Sequence, residues 1–292
     1  ILYPFFRSKS PFIKGLLFDL QKNFAKYSGL ENNYGEQFIV FNNDNVISKG
    51  MLVSGEFDFK KLQMTINFLN KKNKNIKKLY DIGANLGVIC IPAVNRGLVK
   101  KAYAVEPEDN NFKLLKLNIA LNNLEEKITP YHYAMSNSDN QTLEMTLSPD
   151  NSGDHRINLT SNDNTHGEEN RNTSKVKTIK FDTLFKEINP NEDLIWIDVQ
   201  GYEPIVLSGA ENLIKSKAPI VVEFWPYALK RVNVWEKMIK LISRFDHYVD
   251  LSDPNLNVKE INKKNLLDLE HGWDMEKKGS PTLQTDLILL RD

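Results

Sequence analysis

Apolar positions follow two rhythms along this chain. From Leu79 onward, short apolar runs alternate with stretches of three- and four-residue spacing. Leu79-Tyr80-Asp81-Ile82, Ala102–Val105, Ile128–Tyr133, Leu194–Val199 and Ile220–Phe224 predict strands. The last two are largely apolar, as strands covered on both faces require. Phe112, Leu115 and Ile119 share one face of a helix predicted over Asp109–Leu121, with Asp109 as its cap. Further helices are predicted over Glu203–Ser216 and Val234–Phe245, the latter burying Trp235, Met238, Ile239 and Ile242. His247–Leu251 and Thr285–Leu290 close the chain as strands. This alternation predicts a doubly wound α/β sheet over residues 75–292.

Residues 1–74 predict an N-terminal appendage. Ile13, Leu16, Leu17, Leu20 and Phe24 recur at helical spacing, so an amphipathic helix is expected over 11–28, with Lys14, Lys22 and Lys26 on its other face. Packing on the main domain or a partner subunit is its expected role; a membrane surface is the alternative. Gln37–Phe41 and Val46–Val53 read as strands of a hairpin turning at Asn42-Asn43-Asp44. A helix over Asp58–Leu69 and a solvated lysine-rich connector, Lys71–Lys78, follow. Ile1–Phe6 is too short for a signal peptide, and Ile1 in place of a starting Met predicts a trimmed or partial chain.

Ser148–Ser174 breaks the pattern. It is polar, with only Ile157 and Leu159 as large aliphatics, and is expected to form a lid, with disorder as the alternative.

Composition narrows the classes. Of 292 residues, 41% are hydrophobic, enough for a sizeable core. Lys plus Arg equals Asp plus Glu at 38 each, which argues against a protein built to coat nucleic acid. The single cysteine, Cys90, excludes an internal disulfide framework and multi-cysteine metal sites. No run of about 18 apolar residues occurs, so no membrane span is predicted, and a reducing, cytoplasmic location is expected. His132, His166, His247 and His271 lack metal-ligand spacing, so no metal site is predicted; assistance by a divalent ion stays open.

Three motifs carry chemistry. Asp81-Ile82-Gly83-Ala84-Asn85-Leu86-Gly87 follows a strand and is expected to open a helix distorted by Pro92. Gly83 permits close approach to a ligand, and Gly87 lets the helix pack near the strand. The N–H groups of such a helix start suit a carboxylate or phosphate. The spacing is not G-x-G-x-x-G, which argues against a nicotinamide dehydrogenase. Glu106, in Val105-Glu106-Pro107, ends the next strand, where an acid can grip both ribose hydroxyls. Ile195–Val199 delivers Asp198 to a third strand end, before Gln200-Gly201-Tyr202-Glu203. No G-x-S-x-G elbow or Walker loop is present.

Asp81–Gly87, Val105–Pro107 and Ile197–Glu203 together resemble the FkbM family of S-adenosylmethionine-dependent methyltransferases, over residues 75–225. The third motif is the most specific, although Gln200 stands where that family usually has Glu. The resemblance implies a mostly parallel, seven-stranded Rossmann-like methyltransferase sheet with an antiparallel final strand. It implies methyl transfer to a hydroxyl of a sugar, glycoconjugate, polyketide or other small metabolite. It sets the methionine part of S-adenosylmethionine against Asp81, Gly83, Ala84, Asn85 and Gly87, the ribose at Glu106 and Pro107, and the adenine at Ala134 and Met135.

The acceptor side is argued from chemistry. A hydroxyl needs a base as its proton leaves. Asp198 is the leading candidate, His155 the second and Glu223 the third. Arg156, Gln200, Glu203 and Trp225 are candidate substrate contacts. Two rivals remain at this stage: a nucleic-acid methyltransferase, marked by a basic groove, and a non-catalytic scaffold.

Overall fold

The computed structural model describes residues 10–157, 171–273 and 283–292. Chain order begins with helix α1 (Pro11–Gln21), which starts on proline and buries Leu17 and Phe18. It ends earlier than its periodicity predicts, because strand pairing claims the residues beyond: β1 (Tyr27–Glu31) pairs antiparallel with β2 (Gln37–Phe41). The predicted second strand, Val46–Val53, is instead helix α2 (Ile47–Ser54). Asp44 decides this locally. Its carboxylate accepts from the backbone N–H groups of Val46, Ile47 and Ser48 at 3.0–3.1 Å, so the expected hairpin turn is a helix cap. Helix α3 (Phe59–Lys71) follows as predicted.

This N-terminal segment does not stand off the body. Phe38, Val40, Ile47, Met51, Leu62 and Ile66 share one buried apolar cluster with Leu79, Ala102, Leu115 and Trp196.

The α/β alternation then starts with β3 (Lys78–Ile82), α4 (Cys90–Asn95), β4 (Lys101–Val105), α5 (Asp109–Leu121) and β5 (Ile128–Tyr131). Glu108, not Asp109, caps α5: its side chain accepts from Asn111 N–H at 2.7 Å. A second sheet follows, formed by β6 (Ala134–Ser136), β7 (Thr142–Leu147), β8 (Arg156–Ile157) and β9 (Asn172–Lys180), in the order β6-β9-β7-β8. The predicted loop 148–174 therefore contains strand at 156–157 and 172–174; residues 158–170, with Leu159 and His166, lie outside the described residues.

The chain continues through α6 (Phe181–Leu184), β10 (Asp193–Ile197), α7 (Glu203–Ser208), α8 (Glu211–Ser216) and β11 (Ile220–Phe224). The single helix predicted over 203–216 is broken at Gly209. A Cβ there would stand 2.0 Å from the carbonyl oxygen of Ser136, so the break lets the backbone pass β6. Then come α9 (Pro226–Arg231), α10 (Trp235–Ile242), β12 (His247–Asp250), β13 (Val258–Glu260), α11 (Lys263–Gly272) and β14 (Thr285–Leu290).

The main sheet runs β13-β12-β14-β11-β10-β3-β4-β5. Neighbouring pairs from β11 to β5 are parallel, and β14 is antiparallel to both β11 and β12. It is a large mixed sheet of eight strands rather than seven. The extra one, β13, is exposed throughout and carries no apolar signal. Alternate residues divide between two layers: Ile82, Ile195, Ile197 and Val222 face one cluster, and Leu79, Leu194, Trp196 and Val221 the other. Strand order reverses between β3 and β10, so the carboxyl ends of those strands open a crevice. Among the described residues no helix is long and apolar enough to cross a membrane.

Candidate active site

The glycine loop lies at that crevice. Gly83 has φ +94°, and a Cβ there would stand 1.9 Å from the carbonyl oxygen of Asp198. Only glycine fits. The N–H groups of Gly83 and Ala84 both donate to Val105 O, tying the loop to β4. The loop does not open directly into a helix. Residues 84–89 form turns, and α4 begins only at Cys90, two residues before Pro92. Gly87 packs beneath the loop, where a Cβ would press on Ile91 and Leu115, so it serves packing and does not reach the cavity.

Glu106 is buried at the end of β4. Its oxygens accept from Asn85 N–H at 2.9 Å and Glu108 N–H at 2.8 Å. Burial pushes its pKa up to about 8 despite these bonds. Asp81 is also buried, its Oδ2 has no hydrogen-bond partner, and burial raises it to about 7. Both carboxylates line a cavity of about 450 Å³.

A second group of acids sits at the end of β10. Asp198, Glu203 and Glu223 each bring an oxygen within 4.8 Å of the others, a spacing at which carboxylates can share a cation or protons. Gln200, at φ +58°, points its amide between two of them. It donates at 2.7 Å to Asp198 Oδ1 and at 3.2 Å to Glu223 Oε2. Burial, then the nearby Asp286 charge, raises Asp198 to about 7. Burial pushes Glu203 to about 8 and Glu223 well above the usual carboxylate range, with Asp198 adding to both.

The polar segment after β7 closes the cavity. Ser152 O accepts from Asn85 Nδ2 at 2.7 Å and Asn111 Nδ2 at 3.0 Å, and Ser152 Oγ donates to Asp44 at 2.6 Å. His155 Nδ1 accepts the Ser148 N–H at 3.0 Å, and burial lowers its pKa. The neutral ring therefore carries its proton on Nε2. Arg156 bonds to Asp154, which also receives Arg171 at 2.7 Å, and lies 4.9 Å over the Trp225 ring.

The candidates thus separate. Asp81, Gly83, Ala84, Asn85, Glu106, Pro107, Ala134, Met135, His155, Arg156, Asp198, Gln200 and Trp225 line the cavity. Glu203 and Glu223 do not. Glu203 is spent on the turn, accepting from Val199 N–H at 2.9 Å and Gly201 N–H at 3.3 Å. Glu223 lies behind Gln200. Asn111, Ser152, Tyr133, Tyr202 and Tyr227, and from the N-terminal segment Ile47, Phe57 and Asp58, also line the cavity. Ile47, Phe57 and Asp58 lie far in sequence from the three motifs and carried no signal of their own.

A glycine loop and two strand-end acids around one cavity at the reversal of strand order define a doubly wound α/β protein with its ligand site at the switch point. The family is narrower: residues 81–248 match the methyltransferase FkbM domain, and the chain belongs to that family of methyltransferases. No curated protein matches the sequence. Among solved structures, the chain is similar to methyltransferase FkbM from Methylobacillus flagellatus KT, at 13% identity and TM-score 0.41, over 73% of this chain and 43% of that one. This chain therefore spans less than half the length of that relative. It is also similar to the M. jannaschii tRNA m1G37 methyltransferase, at 15% identity and TM-score 0.39, over 92% of this chain and 58% of that one. A third is precorrin-6y C5,15-methyltransferase from Geobacter metallireducens GS-15, at 11% identity and TM-score 0.36, over 79% of this chain and 88% of that one.

Proposed function

We propose that this methyltransferase uses S-adenosylmethionine and methylates a hydroxyl of a small acceptor, a sugar or glycoconjugate. One observation carries the reading: a single cavity is lined by two buried carboxylates, Asp81 and Glu106, together with Asp198 and the rings of Tyr133, Tyr202, Trp225 and Tyr227. The residues present fit the cofactor. Asp81 Oδ2 is an orphaned buried acceptor suited to an ammonium group. Glu106, fixed by two backbone donors, keeps lone pairs for ribose hydroxyls. Ala134 and Met135 offer an apolar surface to a base.

The cofactor supplies a methyl group already activated on a sulfonium. The chain must align the acceptor, exclude water and take the departing proton. Gln200 holds Asp198 Oδ1, which leaves Oδ2 to accept that proton. A pKa near neutrality suits a general base. His155, whose Nδ1 is engaged, donates from Nε2 and orients the acceptor instead of acting as base. Trp225 and Tyr227 provide flat faces for a sugar ring.

The nucleic-acid reading is disfavoured by charge. Among the described residues, the cavity wall carries one fixed cation, Arg156, and it is bonded to Asp154. A phosphate backbone needs a cationic surface. Isothermal titration with S-adenosylmethionine tests the cofactor, and transfer of labelled methyl to a panel of saccharides tests the acceptor. A folded chain that binds no cofactor ends the proposal.

A further inference from the structure

Helix α1 is apolar on two sides. Leu17 and Phe18 face the body of the protein. Phe12, Leu16 and Leu20, four residues apart, form a separate stripe that is 80%, 54% and 49% exposed. Phe24, 81% exposed, follows in the turn beyond the helix. A stripe of large side chains left in water marks an interaction surface.

Charge selects the occupant. The first 30 residues contain Arg7, Lys9, Lys14, Lys22 and Lys26 against the single acid Asp19, in a chain of zero net charge. Asp19 is itself held by Lys49 at 3.0 Å and Lys22 at 3.3 Å. A second copy of the chain would bring like charge to like charge. An anionic lipid surface offers apolar depth to the stripe and phosphate to the lysines.

Position gives a second argument. Lys22 of the α1 end bonds to Asn45, and the next residues, Val46 and Ile47, lie on the cavity wall. The end of α1 is therefore joined to a segment of the cavity wall.

We infer that α1 docks this protein onto anionic phospholipid membranes, lying in the interface with Phe12, Leu16 and Leu20 inserted. The inference stands independently of the proposed reaction. Co-sedimentation of the full chain with phosphatidylcholine vesicles, with and without phosphatidylglycerol, tests it. Binding is expected only with phosphatidylglycerol and is weakened by high salt. Phe12→Ser, Leu16→Ser and Leu20→Ser together should reduce it at least about tenfold. Lys26→Glu should weaken it as well, each variant keeping the native melting temperature because these side chains are exposed. Equal binding to neutral and anionic vesicles, or a triple-serine variant that binds like the native chain, overturns the inference. So does a native chain that ignores vesicles but forms a dimer that the triple-serine variant abolishes.

Discussion

Lys61 on α3 reaches Asp286 on β14, its Nζ 2.8 Å from Oδ2, across 225 positions of sequence. It also lies 3.1 Å from Asp58. Asp286 faces Glu223 in the β11–β14 register, so Lys61 is the cation next to the acid group of the candidate site. Asp286 and Asp58 raise the Lys61 pKa above its ordinary value against the cost of burial. The N-terminal segment therefore contributes electrostatics, as well as apolar area, to the site.

Lys61→Met should remove that compensation. Lys61 keeps 40% of its side chain exposed, so the loss is smaller than for a fully buried pair, about 1–3 kcal/mol. It should be larger at pH 8 than at pH 6, because more of Asp198 is ionised there. Urea unfolding at both pH values measures it; equal stability to the native chain would show that the pair contributes nothing.

Stability should fall as pH rises. Asp81 and Asp198 titrate near 7, and Glu106 and Glu203 near 8, against ordinary values of about 4. Between those limits the folded chain holds more protons than the unfolded chain. Unfolding free energy therefore decreases from about pH 5 to pH 8, by at most about 1.4 kcal/mol per unit for each group. A flat or rising profile across this range contradicts the burial of these acids.

Glu106→Gln separates binding from folding. It removes a buried charge, so the melting temperature at pH 8 should hold or rise. It also removes the charged acceptor proposed for the ribose, so S-adenosylmethionine affinity should drop about 10- to 100-fold. Calorimetric titration reads the second effect, and unchanged affinity would remove Glu106 from the cofactor site.

Gly83→Ala should be far more damaging than Gly29→Ala. The first puts a methyl group 1.9 Å from a backbone carbonyl at φ +94°; the second meets nothing within 4 Å. A loss above about 3 kcal/mol is expected for Gly83 and nearly none for Gly29. Thermal melts of the two variants compare them directly.

Much of the architecture was legible because strands buried on both faces are largely apolar: Ile220–Phe224 and Thr285–Leu290 form the strands their composition predicts. Val46–Val53 was misread because a short apolar run has no period that separates helix from strand; the Asp44 cap chooses. Two strands of the second sheet, β6 and β8, have three and two residues, too few for an alternation to register in the sequence.

Local sequence alone determined the strand ends that present Asp81, Glu106 and Asp198, since a glycine or proline turn after an apolar run acts within a few residues. Tertiary structure alone decided which acids face the cavity and which are spent elsewhere. Glu203 turns back to its own loop, Glu223 lies behind Gln200, and Lys61 arrives from the far end of the chain. Such roles depend on contacts between distant segments, and those form only when burial of both sheet faces brings the segments together.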